Sequence, residues 1–271
     1  MAWVLIALAP IIGGFIYGFE RVLRARMQRR IGPPLMQPFY DMLKLMDKRT
    51  LIIHAPHAML AVAHFFVLWF AVAAIFLGWS LLYIVFIHLV AQMLLVLAGY
   101  SVKSVFSHIG SNRELVMLLA YEPILLLIAT GFYLQSGSFE IGVILSQKSY
   151  LFELSLLFIA LLFIIPIKVK KSPFDSAEAH QEIVGGVEVE YSGLFYEFLY
   201  MAKMLEYIFI YAFVFIFGGA LFWLGSLLVA ISFLVVNLVD NATARVRVDQ
   251  LLKIIYTIVL TLVLANLVVI I

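Results

Sequence analysis

Five carboxylate side chains crowd a short stretch of this 271-residue chain, between two long apolar runs. The stretch at residues 172–193 reads SPFDSAEAHQEIVGGVEVEYSG, and its carboxylates are Asp175, Glu178, Glu182, Glu188 and Glu190. Carboxylates held against a membrane are costly unless they are hydrated, paired or used to move protons. We therefore expect this acidic segment (residues 172–193), within a coupling loop at 168–194, to carry or couple protons.

A short helix is the predicted conformation for the first half of the acidic segment. Asp175 followed by Glu178 resembles a capping box, and Gly185-Gly186 would end the helix. In that helix Asp175, Glu178 and Glu182 would share one stripe, where like charges repel and raise one another's pKa values. Such a row could hold protons near neutral pH. The alternative is a solvated loop face that touches basic residues of a neighbouring subunit.

Further ionisable residues lie inside apolar runs, where each is by default a functional candidate. Glu122 is the strongest, because Pro123 follows it and loosens the local helix ladder. Lys203 and Glu206 are three residues apart and could form an ion pair within one helix. Isolated histidines in such runs more often bond a neighbouring carbonyl than act in function. The remaining candidates are Glu114, Glu153, Glu197, Asp240, His64 and His88.

Composition predicts that membrane-spanning helices position these charges. The chain is 65% hydrophobic and 13% charged, whereas about a quarter of a typical soluble domain is charged. Its apolar runs approach the length of a membrane span and lack the alternation of barrel strands. We predict an all-α polytopic membrane protein with eight spans, at about 2–19, 58–79, 81–99, 114–135, 150–167, 195–217, 219–239 and 251–271.

The loop that follows the first span, residues 20–57, is basic and predicts an amphipathic helix. Gly32-Pro33-Pro34 interrupts any continuing helix. Beyond it, apolar residues recur at helical spacing from Leu35 to Met46, with charged residues opposite. Such a helix would lie at the cytoplasmic membrane interface. A simple surface anchor and a lipid-headgroup role for the basic residues both remain open.

The distribution of basic residues predicts the orientation. Of the 18 lysines and arginines, all but Lys148 and Lys203 lie in or beside four loops. The positive-inside rule assigns those loops to the cytoplasm and both termini to the outside of a cell membrane. A partner is then expected on the cytoplasmic face, although obeying the topology rule explains most of these residues equally well. The basic residues proposed for that interface are Arg26, Arg29, Arg30, Arg113, Arg245 and Arg247.

Several kinds of chemistry are excluded for this chain by itself. It contains no cysteine, which excludes disulfides, thiolate-bound zinc and protein-ligated iron–sulfur clusters. It also lacks a phosphate-binding loop, a dinucleotide fingerprint and a nucleophilic serine elbow. The N-terminal apolar run has no basic residues ahead of it and reads as a retained span. We expect no catalytic residue, metal or cofactor here, so any redox centre belongs to a partner.

Four segments, taken in order, resemble the signature of the H subunit of respiratory complex I. They are RIGPPLMQPFYDMLKL, GYSVKSVFSHIGSNREL followed by AYEP, SPFDSAEAHQEIVGGVEVEYSG, and ARVRVDQLLK. The family includes the homologous membrane subunit of energy-converting NiFe hydrogenases. Complex I members usually have a longer first motif, a glutamate where this chain has Lys168, and Ala-Glu where it has Ala202-Lys203. These departures make the chain more like the hydrogenase-type branch, including relatives that reduce other acceptors from ferredoxin.

The resemblance implies a subunit that links a cytoplasmic redox arm to an ion-translocating membrane arm. The implied partners are a hydrogenase-like large subunit and a small iron–sulfur subunit on the cytoplasmic side, antiporter-like membrane subunits and the lipid bilayer, but no nucleic acid. NiFe or iron–sulfur centres would lie in those partners. The residues that would couple or carry protons are Glu122, Asp175, Glu178, Glu182, Glu188, Glu190, Lys203, Glu206 and Asp240.

Three other functions remain open from the sequence. The first is a complex I subunit in which a quinone enters between the first span, the amphipathic helix and the sixth span. The second is a stand-alone transporter, against which the lack of repeat similarity between the two halves argues. The third is a passive membrane anchor, for which the intramembrane charges would tolerate neutral replacement.

Overall fold

The computed structural model describes residues 2–270 and has an all-α architecture. The protein is 78% helical and has no strand in the described part of the chain, where a single isolated bridge joins Ser80 and Glu140. Seven of the described helices are long and apolar enough to cross a membrane. An eighth apolar helix is shorter, with 14 residues. The predicted class, an all-α polytopic membrane protein, is confirmed.

The helices occupy the following ranges. They are α1 (Ala2–Met27), α2 (Gln37–Asp47), α3 (Ala55–Phe76), α4 (Leu81–Tyr100), α5 (Val105–Ser136), α6 (Ile141–Ser146), α7 (Ser155–Lys168), α8 (His180–Ile183), α9 (Gly193–Ile216), α10 (Phe222–Ala242) and α11 (Val248–Ile270, with a π turn at Ile255–Val259).

The helix bounds differ from the hydropathy spans mainly in α1, α5 and α7. The first span is predicted to end at 19, but α1 continues to Met27. The fourth span is predicted from 114, but α5 begins at Val105 because its polar first turns pack on the acidic segment. The fifth is predicted from 150, but α7 begins at Ser155 after a turn. The short helix α6 is not predicted at all, and residue 271 of the predicted last span lies outside the described residues.

Helix α9 is the central span of the bundle. Of the candidate spans it is the most buried, with 72% of its apolar window inside the protein. It packs on α1, α2, α3 and α10, while α5 packs on α4, α7 and α11. Two tight turns close helix pairs: Gly78 has φ +76° between α3 and α4, and Gly219 has φ +54° between α9 and α10. These left-handed conformations suit glycine, which has no Cβ.

Helix α2 is the amphipathic helix predicted in the first loop. It follows the Gly32-Pro33-Pro34 interruption and packs on α1 and α9. Its outer face exposes Leu43 and Met46, each 62% accessible. Large apolar side chains left exposed on a charged helix suit a membrane interface better than water. Asp41 lies on the inner side and pairs with Arg21 at 2.7 Å.

The four basic loops meet at one end of the bundle, here called the charged end. There the backbone N–H of Leu51 donates to Ser192, and that of Val246 donates to the Pro173 carbonyl. The turns at the opposite end are joined separately, for example by the N–H of Ala220 to the Gln147 carbonyl. The fold therefore collects the basic loops around the acidic segment.

Candidate proton-transfer site

A polar cavity of about 350 Å³ lies inside the charged end of the bundle. Its walls are formed by α1, α3, α4, α7, α9, α10 and the acidic segment. Burying that many charges is costly unless each is paired and hydrogen-bonded, so the pairing decides what the site can do. The ionisable wall includes Lys168, Lys170, Lys171, Lys203, Glu178 and Glu206.

The acidic segment is broken into three single turns. They are a 3-10 turn at Ser176–Glu178, helix α8, and a second 3-10 turn at Gly186–Glu190. Ala179 has an extended ψ of 89° that stops the first turn. Asp175 makes no capping hydrogen bond, so the predicted capping box is wrong. Gly185, with φ +110°, follows α8 as expected for a helix end.

Because of this break the carboxylates diverge, and the predicted stripe of Asp175, Glu178 and Glu182 is wrong. Asp175 is half-buried and Glu182 is exposed, and both bind Arg245, at 2.7 and 3.1 Å. Glu178 turns inward between Lys170 and Lys203, at 2.8 and 2.9 Å. Burial raises the pKa of Glu178, but the two ammonium groups outweigh burial and hold that pKa well below its usual range. The three carboxylates are thus paired with cations, whereas the sequence predicted that they would repel one another.

Lys203 of α9 anchors the acidic segment to the bundle. Its ammonium lies 2.9 Å from Glu178 and 2.8 Å from Glu188. The predicted ion pair between Lys203 and Glu206 is therefore wrong, since Lys203 reaches out to the segment instead. Burial and then the charge of Glu178 raise the pKa of Glu188. Of this carboxylate pair, Glu188 takes up a proton first as the pH falls.

His88 lies at the centre of a second network, behind the cavity wall and within the spans. Its Nδ1 lies 2.7 Å from Glu122, and its Nε2 lies 3.2 Å from Glu206 and 2.5 Å from the Lys168 ammonium. The Lys168 ammonium also lies 3.2 Å from Glu206. Oε2 of Glu122 is buried without a hydrogen-bond partner in the described chain. An ionised carboxylate with one unpartnered buried oxygen is costly, and Glu122 is the carboxylate of this network that has one.

A third network ties α1 to α9, α10 and the acidic segment through Glu20. The Glu20 carboxylate accepts from Lys171 and Tyr207, and it lies 3.3 Å from Arg24. Arg24 continues to Asp240 at 2.5 Å. Asp240 also accepts the backbone N–H at the start of the acidic segment, at 3.0 Å. Four members of this network line the cavity: Arg24, Lys171, Tyr207 and Asp240.

The structure thus gathers some of the sequence candidates and separates others. Glu122 and Glu206 meet at His88, Glu178 and Glu188 meet at Lys203, and Asp240 joins the Glu20 network. Glu114 approaches Lys170 at 3.3 Å. The candidates outside the cavity wall and these three networks are Glu153, Glu182, Glu190 and Glu197.

The six arginines proposed for a partner interface divide in the same way. Arg113 and Arg245 pair within the chain, where both hold Glu182, at 2.6 and 3.1 Å. Their hydrogen bonds lower the pKa of Glu182. In this structure they fix the acidic segment, and their place in a partner interface stays a prediction. Those that remain exposed at the charged end are Arg26, Arg29, Arg30 and Arg247.

Sequence reasoning missed the run Lys168-Val169-Lys170-Lys171 at the end of α7. Its lysines reach three different parts of the bundle, through Glu206, Glu114 and Glu20. The carboxylates of Glu114 and Glu178 outweigh burial and raise the pKa of Lys170, whereas burial lowers the pKa of Lys171. The sequence feature that could have identified these lysines is a basic run directly after an apolar helix, with no polar spacer to carry it into water.

Gly110 sets the approach of α5 to the acidic segment, and this gives a prediction. A Cβ on Gly110 would lie 2.5 Å from the Cα of Gly186. Gly110→Ala is therefore expected to destabilise the protein by about 1–3 kcal/mol through overpacking and to speed hydrogen exchange at 176–190. Gly142→Ala is the matched control, because a Cβ there would have no other atom within 4 Å. Equal exchange in the two variants would contradict the prediction.

Comparison with known proteins identifies relatives along the whole chain. A family model described as NADH dehydrogenase matches residues 1–271. The H subunit of NADH-quinone oxidoreductase from Geobacillus kaustophilus is 30% identical, over 96% of this chain and 90% of that protein. Formate hydrogenlyase subunit 4 of Escherichia coli is 29% identical, over 92% of this chain and 90% of that protein. Sequence identity alone does not separate these two kinds of relative.

A solved structure shares the fold. A chain in the structure of the membrane-bound sulfane sulfur reductase, an archaeal respiratory membrane complex, superposes with a TM-score of 0.90. The alignment covers 99% of this chain and 98% of that chain at 23% sequence identity. At that identity the likeness establishes the arrangement of the helices and nothing about the chemistry.

Proposed function

The chain belongs to the NADH dehydrogenase family that contains the H subunit of complex I, and from this premise we propose that it couples electron transfer to ion movement. The specific setting we propose is a ferredoxin-fed, energy-converting complex of the hydrogenase type. A soluble redox arm would transfer the electrons, and antiporter-like subunits would move protons or sodium ions. The absence of cysteine supports redox centres in the partners rather than in this chain.

The observation that carries this proposal is the cavity that joins the acidic segment to carboxylates inside the spans. Glu178 and Glu188 border it from the segment, and Glu206 borders it from α9. Behind Glu206, His88 connects to Glu122. Protons entering at the charged end would therefore meet titratable groups continuously from the segment to the middle of the bundle.

Displacement of the acidic segment is the proposed coupling step. Lys170 and Lys203 hold the segment through its carboxylates. Moving the segment outward would leave Lys203 unpaired at the cavity and Lys170 with Glu114 alone. An unpaired cation disfavours protons nearby. Two unit charges about 10 Å apart still interact by roughly 1–2 kcal/mol at an effective dielectric constant of 20. Proton occupancy of the inner network would then follow the position of the segment.

The charged end is the proposed docking site for the redox arm. It bears the outer face of the acidic segment and the exposed Arg26, Arg29, Arg30 and Arg247. By the positive-inside rule this end faces the cytoplasm and both termini lie outside. The partners proposed there are a hydrogenase-like large subunit and a small iron–sulfur subunit.

A quinone-binding role is less well supported by the contacts. The quinone would enter between α1, α2 and α9, where glycines bring the helices together. A Cβ on Gly14 would lie 2.7 Å from the Phe39 ring, and one on Gly13 would lie 3.1 Å from Cβ of Met204. Lys168 also occupies the position of the family glutamate. Photolabelling of residues 17–45 by a quinone analogue would overturn the hydrogenase-type proposal in favour of this one.

Glu122→Gln in the intact complex tests the proposal. An amide cannot take up a proton, so ion movement per electron in proteoliposomes should fall by roughly tenfold or more. Electron transfer measured with detergent-solubilised complex should fall much less. Glu140→Gln is the control, because Glu140 is exposed at the opposite end. Unchanged ion movement in Glu122→Gln would contradict the proton path and favour a passive anchor.

Identification of nickel in the purified complex would separate a hydrogenase from related reductases.

A further inference from the structure

His88 is surrounded by groups that no single protonation state can satisfy. Its Nδ1 faces an oxygen of Glu122 at 2.7 Å. While Glu122 is ionised its carboxylate only accepts hydrogen bonds, so Nδ1 carries a hydrogen. Its Nε2 faces two donors, the Lys168 ammonium at 2.5 Å and the Gln92 amide at 3.2 Å. The same Nε2 also lies 3.2 and 3.4 Å from the two carboxylate oxygens of Glu206, which are acceptors.

These contacts define two exclusive arrangements at one atom. When Nε2 has no hydrogen, it accepts from Lys168, and Glu206 receives only the ammonium and Gln92. When Nε2 is protonated, it donates to Glu206. It would then present an N–H and a positive charge to the Lys168 ammonium, which is itself a donor with no lone pair. Lys168 must withdraw before the second arrangement is formed.

Lys168 has room to withdraw. It lines the polar cavity, although its side chain is only 2% exposed. Its ammonium lies 3.2 Å from the Tyr121 hydroxyl and 4.4 Å from the centre of the Tyr121 ring. It is also the last residue of α7, four residues before the acidic segment. A short stretch of backbone therefore connects Lys168 to the acidic segment, and through it movement of the Lys168 side chain is coupled to the segment.

We propose that a proton and the Lys168 ammonium compete for Nε2 of His88, which makes Lys168 the residue that sets when this network loads a proton. On loading, Nε2 gains a proton and the hydrogen bond from Lys168 breaks. A new hydrogen bond from Nε2 to Glu206 forms, and the ammonium keeps its own proton. Lys168 is thus a positioning residue. The use of the step in ion movement rests on the proposed function, whereas the competition itself is a property of the resting protein.

The other groups around His88 do not remove this competition. Glu122 and Tyr121 approach it from α5 and Glu206 approaches it from α9, and none of the three is a cation. Phe209 stacks on one ring face at 4.1 Å and offers no partner for Nε2. His64, on α3, lies at the cavity wall with its Nδ1 2.7 Å from the Ala91 carbonyl. Lys168 is the one cation in direct contact with Nε2 among residues 2–270.

Histidine protonation in the resting complex tests the proposal. The complex is labelled with 15N-histidine and titrated by solid-state NMR, and the His88 signal is the one lost in His88→Gln. Lys168→Met should raise the midpoint of His88 protonation by about one pH unit, a tenfold gain in proton affinity. Lys168→Arg, which keeps a cation at this position, should leave the midpoint near that of the unaltered protein.

A midpoint that stays unchanged or falls in Lys168→Met would overturn the competition. If Lys168→Met does not assemble, Lys168→Gln keeps a donor without the charge, and its midpoint must still rise. The readout needs no turnover. A raised midpoint together with normal ion movement in Glu122→Gln would therefore retain this proposal while removing the proposed coupling function.

Discussion

Replacing Lys203 with methionine is expected to destabilise the protein by on the order of 3 kcal/mol, because it leaves a buried carboxylate without its cation. Lys203 is the ammonium that holds Glu188 at 2.8 Å, whereas Glu178 retains Lys170 at 2.8 Å. The stranded group is therefore Glu188. Thermal unfolding of the purified complex gives the stability change. Hydrogen exchange should show the loss concentrated at residues 176–190, where the acidic segment detaches.

The pH dependence of the Lys203→Met variant follows from Glu188. Its pKa is already raised in the folded protein, and removing the ammonium raises it further. A carboxyl whose folded pKa lies above its unfolded value stabilises the fold at low pH and loses that contribution as the pH rises through the folded pKa. The cost of Lys203→Met should therefore shrink between neutral and acidic pH.

A double variant distinguishes two causes of the lost stability, an unpaired buried charge and the lost packing of the lysine side chain. Lys203→Met combined with Glu188→Gln removes both ends of the pair, and replacing both partners is generally far milder than removing one. The double variant should recover most of the lost stability. Lys148→Met is the control, since Lys148 is exposed at the opposite end and should change stability by less than about 0.5 kcal/mol. A double variant as unstable as the single one would show that the lysine stem, rather than the charge, anchors the segment.

The membrane fold could be predicted because lipid leaves the backbone few choices. Long apolar runs must be helices there, and α2 was recognisable from a proline break followed by an amphipathic pattern. The polar start of α5 could not be recognised from the sequence, since hydropathy does not distinguish a polar helical turn in water from one buried against another polar segment. Gly110 against Gly186 is that buried contact.

The carboxylates of the site were identifiable from the sequence, but their partners were not. Glu122, Glu178, Glu188 and Glu206 stood out as charges beside or inside apolar runs. Their pairing depends on contacts such as His88 to Glu206, 118 residues apart, which local spacing does not encode. The predicted helical stripe failed for a related reason. One or two turns of helix gain little by themselves, whereas Glu178 gains ion pairs with Lys170 and Lys203 by leaving the stripe.

Glu20 illustrates the same limit and carries the second large effect. It is 1% exposed, yet it is absent from the sequence candidates, because it stands where the first predicted span gives way to the basic loop. In the structure it is bound by Lys171, Tyr207 and Arg24. Arg24 keeps a second partner in Asp240, at 2.5 Å. Lys171 has no other ion pair in the described chain, so it is the cation that loss of Glu20 would strand.

Glu20→Ala is therefore expected to cost roughly 3–5 kcal/mol, the usual effect of removing one partner of a buried ion pair. Adding Lys171→Met should restore much of that stability. Tyr207→Phe is the graded control, because it removes one hydrogen bond to the carboxylate and leaves both cations in place, at about 1.5–3 kcal/mol. Unfolding in detergent micelles would rank the three variants.

Since Lys171 directly precedes the acidic segment, Glu20→Ala should also speed hydrogen exchange at 172–175, while Tyr207→Phe should not. Equal costs for Glu20→Ala and Tyr207→Phe would mean that Glu20 acts as a hydrogen-bond acceptor rather than as the counter-charge that ties α1 to the acidic segment.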